Sequence, residues 1–159
     1  MSANAINRET VRDAFSTLLT TALVGDGLPV TAVYNYPFEV STTKVSPVVV
    51  VASSGTARRA IGIGDTRKYD NYFILEVFTF IRDADTTAGW TEAKVEDNLD
   101  LIDKRIADVV LDNRVNANWN DIGFSLDPEA IPDPSQIVSD TERGYKLEMR
   151  KVYVKKIDT

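Results

Sequence analysis

Gly62-Ile63-Gly64-Asp65 comes nearest in this chain to a phosphate cradle. Glycines let backbone N–H groups close on a pyrophosphate, but the dinucleotide fingerprint also needs a helix directly after the glycine turn to receive the charge. Here a strand pattern follows, from Tyr69 onward. A Gly-Lys-Ser/Thr step for a P-loop is absent as well. The plainer expectation is a hairpin connection in which the glycines permit a tight turn. Asp83-Ala84-Asp85-Thr86-Thr87-Ala88-Gly89 has the look of a calcium loop. An EF-hand needs glycine at its sixth position and glutamate at its twelfth. Counted from Asp83 those positions are Ala88 and Lys94, so the pattern fails twice. A strand-to-helix turn with Thr86, Thr87 or Thr91 as the cap is the simpler reading.

The chain has no cysteine and no histidine. That removes disulfides, zinc–thiolate sites, thiol nucleophiles and every triad that uses imidazole as its base. Its 24 carboxylates could support acid–base chemistry or hold magnesium, but no pair is singled out by spacing. No catalytic residue, cofactor or metal ligand is therefore assigned, and the chain is not expected to be an enzyme.

One cluster remains. Between Ser53 and Lys68 the chain carries Arg58, Arg59, Arg67 and Lys68 against a single acid, Asp65. The formal net charge of the whole chain is −6, so this stretch is a cationic island on an acidic body. Such an island fits an acidic neighbour, including a second copy of the same chain. Contact with a nucleic-acid backbone is a weaker fit, because the stretch holds no aromatic residue on which bases could stack. A solvated hairpin tip is the bland alternative. Arg58, Arg59, Arg67 and Lys68 are thus candidates for docking between subunits or to a partner.

The elements that position these residues follow from size and periodicity. A chain of 159 residues, 43% hydrophobic and 26% charged, suits one globular domain. Its first residues lack the basic-then-apolar order of a signal peptide, and no apolar run approaches a membrane span. The expectation is a soluble intracellular protein.

Asn7 is placed to cap a helix over 8–24, with Val11, Ala14, Phe15, Leu18, Ala22 and Leu23 on its inner stripe and Gly25, Gly27 and Pro29 at its end. A second helix over 91–113 carries the stripe Val95, Leu99, Ile102, Ile106, Val109 and Val110, with an acidic face that suits solvent. Strands are expected at 30–36, 47–52, 69–81, 136–141 and 145–156. The strand at 69–81 is apolar on both faces, with Glu76 and Thr79 as the main exceptions, the signature of a central strand. Residues 114–134 form a long connection, with a short strand around 122–125 and with Trp119 and Phe124 as pins to the core. In the last strand Tyr145, Leu147 and Met149 are out of phase with Val152 and Val154. A β-bulge at Arg150–Lys151 would bring all five to one face.

The resulting order is α-β-β-β-α-β-β. It predicts a single α+β domain over 1–159: a mostly antiparallel sheet of about five strands with two helices on one face, an extended hairpin loop at 53–68 and the long connection at 114–134. Two helices cover one face of such a sheet. The other, apolar face would be left wet, which favours association of copies.

In length and element order, along nearly the whole chain, this sequence resembles the tail terminator proteins of long-tailed bacteriophages. The resemblance is carried by RETVRDAFSTLL, YDNYFILEVFTFI, VEDNLDLIDKRIADVVLDN and GYKLEMRKVYVKKI. It implies a virion protein, assembled in the host cytoplasm, that forms a hexameric ring at the head-proximal end of the tail. Such a ring caps the tail tube protein, stops its polymerisation and joins the head–neck connector protein. DNA would pass through its lumen without sequence-specific binding, and no membrane is involved. The family has no catalytic residues or cofactor. The hairpin at 53–68 would correspond to the extended hairpin these ring proteins set against neighbours or the tube. Another head–tail connector or a tail tube subunit is the nearest alternative. A small nucleotide- or metal-binding enzyme is the alternative from a different class.

Overall fold

The Asn7 side chain accepts a hydrogen bond from the Glu9 backbone N–H at 2.9 Å, which satisfies one of the open donors at a helix start. From there the computed structural model describes residues 7–36, 46–61, 68–82, 92–113, 125–126, 135–140 and 144–157. The first helix, α1 (Arg8–Leu23), ends where Gly25 and Gly27 take positive φ angles of 143° and 76°. Its inner stripe is Val11, Ala14, Phe15, Leu19 and Leu23, all buried. Leu18, expected on that stripe, is only partly buried beside it.

Among the described residues, six strands form one sheet: β1 (Ala32–Tyr34), β2 (Val48–Ile61), β3 (Lys68–Arg82), β4 (Ser125–Leu126), β5 (Gln136–Asp140) and β6 (Tyr145–Ile157). The second helix, α2 (Glu92–Asp112), lies between β3 and β4 in sequence. Apart from the two-residue β4, the order is the expected α-β-β-β-α-β-β. The strands lie in the order β1-β2-β3-β6-β4, and β5 pairs with β6 as well. Among the described strand pairs β1–β2 is the parallel one, and an isolated parallel bridge joins Val24 to Val30. The fold is α+β.

Register separates the two faces. Directly opposed residues share a face, so Val49, Val51, Phe73, Leu75, Val77, Ile81, Val152 and Val154 lie together. These residues, the α1 stripe and Val95, Leu99, Ile102, Ile106 and Val109 of α2 make one buried core. Both helices therefore cover the same side of the sheet. α2 follows its expected stripe because an apolar row every three or four residues lets a helix turn one face to the sheet and the other to water.

Two expectations are corrected. No bulge occurs at Arg150–Lys151: β6 runs in unbroken register there, with Val77 opposite Arg150 and Glu76 opposite Lys151. Both faces of the strand are used, so no change of phase is needed. Val152 and Val154 face the helices, and Leu147 and Met149 face the other way. The register shift is in β2, between Ser53 and Gly55. The strand expected to stop at 52 also continues to Ile61, and β3 begins at Lys68. Most of the expected 53–68 loop is thus the paired end of a long hairpin. Its apolar content falls after Ala52, which hid the strand, but cross-strand hydrogen bonding to β3 does not require apolar side chains.

Gly62 to Asp65, the turn at 83–89 and the pins Trp119 and Phe124 lie outside the described residues. So do residues 122–124 of the short strand expected over 122–125; its last residue, Ser125, pairs with β6 together with Leu126.

Candidate functional site

The four candidate cations do not form one described cluster. Arg58 and Arg59 are successive residues of β2, opposite Asn71 and Asp70 of β3. Successive strand positions alternate between the faces of a sheet, so the two belong to different faces. The Arg58 side chain is exposed, with its guanidinium carbon 5.9 Å from the centre of the buried Phe73 ring. That is within the range of a cation–π contact. Lys68 opens β3 opposite Ile61, and Arg67 lies outside the described residues. Of the four cations, Arg58 is the one whose side chain is described, so the positive charge of the hairpin is placed at that one exposed position.

The face turned away from the helices is apolar. Its rows follow from register: Ala32, Val48, Phe80, Leu147 and Val138, then Tyr34, Val50, Phe78, Met149 and Gln136. Val48, Val50 and Phe80 are buried, whereas Phe78, Leu147, Met149, Ile74 and Tyr153 are half-buried. Phe80 packs against Tyr145, with ring centres 4.9 Å apart. Charged residues interrupt this surface in two rows: Glu76 opposite Lys151, and Arg82 with Asp140 on either side of Tyr145. The expected wet face is therefore divided, with Val48, Val50 and Phe80 buried and its β1 and β6 sides half-open.

At the sheet margin the apolar exposure is greater. Ile137 and Val138 of β5 are 55% and 45% exposed, and Tyr36, just beyond β1, is 54% exposed. Sequence reasoning did not single out these positions, because QIVSD is too short to show which side of an edge strand is covered.

An ionic layer lies between α2 and β6. Lys146 pairs with Glu96, and Arg150 pairs with Asp103. Glu148, between them on the same face of β6, is 5% exposed and accepts a hydrogen bond from the Ser135 hydroxyl at 2.9 Å. Arg150 is 4.0 Å from Glu148 but is engaged by Asp103. Burial pushes the Glu148 carboxyl above its ordinary range, and the charge of Asp100 adds to the rise, while the Ser135 hydrogen bond opposes it. Burial also lowers the Arg150 guanidinium from its usual value. The acidic face of α2, expected to be solvated, is in part the anionic side of this layer. The signal was present in KLEMR, where charged residues alternate with apolar ones at the two-residue period of a strand.

Among the described residues no group of three or more potential metal ligands occurs, and no helix is long and apolar enough to cross a membrane. No protein-family model and no curated protein matches the chain.

Proposed function

We infer that this chain is a structural virion protein that acts as an assembled ring, in the role of the phage tail terminators it resembles. In that role the ring caps the head-proximal end of the tail tube, halts growth of the tube protein and presents a surface to the head–neck connector. One observation carries the reading: both helices cover the same face of the sheet. Phe78, Leu147 and Met149 are left half-buried on the other face, and Val138 is exposed at its margin. Covering apolar surface of this kind favours association by about 25 cal/mol per Å². The exposed Arg58 supports the same reading, since a surface cation on an acidic chain suits an acidic neighbouring copy.

The test is the mass and shape of the purified protein. Size-exclusion chromatography with light scattering is expected to give one discrete oligomer, and electron microscopy a closed ring. Open-ended polymers would favour a tail tube subunit. A monomer at every accessible concentration would overturn both.

A further inference from the structure

We propose that the outer side of α2 docks on α2 of a second copy of this chain, the two helices packing antiparallel about a two-fold axis level with Ile106. The contact goes beyond the ring reading and does not need it, because this surface is the side of α2 turned away from the buried core.

The outward stripe of α2 is Asp97, Leu101, Lys104, Asp108 and Leu111, all exposed. Its members follow one another by four, three, four and three residues, the spacing of a seam between two helices. Two of them are large apolar side chains in water: Leu101 is 39% exposed and Leu111 59%.

The stripe is self-complementary. Leu101 and Leu111 each stand five residues from Ile106, and Lys104 and Asp108 each stand two from it. A second α2, reversed and centred at the same level, sets Leu101 against Leu111 of the second copy and Lys104 against its Asp108. At 1.5 Å per residue the two leucine contacts lie about 15 Å apart, on either side of the ionic ones. A parallel pair in register would set Lys104 against Lys104 and Asp108 against Asp108, so charge selects the antiparallel arrangement.

Lys104 and Asp108 can serve this contact. They pair within the helix at 2.8 Å, but their side chains are 72% and 51% exposed. The cation also precedes the acid, the weaker order for such a pair. Two other acids of α2 are neutralised within the copy, Glu96 by Lys146 and Asp103 by Arg150. Asp100 and Asp112 come to the same level across the pair, but they are twelve residues apart in the helix and so lie about 120° apart around it, on opposite flanks.

One helical stripe covers less than the roughly 1,200 Å² of a stable interface. The contact is therefore weak between single copies and gains strength where several copies are already linked, as in two rings facing each other. A two-fold contact uses the same patch on both sides, so it pairs assemblies and does not extend them.

The chain has no cysteine, so Leu101→Cys and Leu111→Cys each introduce a single thiol. Circular dichroism checks that each variant keeps the wild-type fold. At high protein concentration, with copper–phenanthroline in air, an equimolar mixture is expected to give several-fold more disulfide-linked dimer than either variant alone, with peptide masses that join position 101 to position 111. Like positions are held about 15 Å apart along the axis, beyond the reach of a disulfide. Lys104→Asp added to both variants should cut the yield, and Asp108→Lys added as well should restore it. Equal yields from the mixture and from each variant alone, or a yield insensitive to Lys104→Asp, overturn the contact. Wild-type protein that forms no ring removes the reading above, while the link between positions 101 and 111, trapped between single copies, would still stand.

Discussion

Ser135 donates its hydroxyl to the buried carboxylate of Glu148 at 2.9 Å, so the residue just before β5 is tied to the second strand residue beneath α2. Burial and Asp100 raise the Glu148 pKa above 4.5, so the folded protein holds this proton more tightly than the unfolded chain. Its contribution to stability is then fully present below the ordinary carboxyl range and declines as pH rises through the raised value. Glu148→Gln should remove that decline. Urea unfolding across a pH series is expected to show the variant gaining on wild type from about pH 4.5 upward and then levelling off. Parallel curves through that window would contradict the assignment.

Arg150 joins β6 to α2 through Asp103. Arg150→Ala removes that link and leaves Glu148 without its nearest cation. A loss of about 1–3 kcal/mol is expected, given that Asp103 is partly solvated. Asp103→Ala should recover most of the difference in a double-mutant cycle, since the two act as one pair. Simple additivity of the two losses would show that they do not.

Ile102 lies at the centre of the α2 stripe with none of its surface exposed. Ile102→Asp buries a carboxylate among aliphatic side chains and is expected to cost more than about 4 kcal/mol, enough to prevent folding of a marginal domain. Circular dichroism of the expressed variant reads the outcome. A folded, soluble protein would mean the helix turns a different face inward.

Arg58→Glu with Arg59→Glu should leave the fold in place, because Arg58 is exposed and its contact with Phe73 is worth roughly 0.5–1 kcal/mol. Assembly or partner docking should weaken. Thermal melting and light scattering on the same sample separate the two effects. An unchanged oligomer that still joins tails would reduce the hairpin charge to a solvated tip.

Local sequence determined the elements that depend on local rules. Asn7 and the apolar spacing after it specify α1, the 3.6-residue stripe from Val95 to Val109 specifies α2, and the two-faced apolar run at 69–81 specifies a central strand. Each needs only the neighbours within a few positions. The basic residues were visible as composition, but their separation onto different sheet positions was not, because the strand carrying Arg58 and Arg59 has no apolar alternation to mark it. The course of β6 was misjudged for a related reason. Its residues alternate between two partners, α2 on one side and the open face on the other. Periodicity alone does not distinguish a strand with two useful faces from a bulged strand with one. Which residues share a face of the sheet, and that Glu148 lies buried beside an arginine already engaged by Asp103, depend on contacts between residues far apart in the chain. Only tertiary structure decides those, because pairing register sets them.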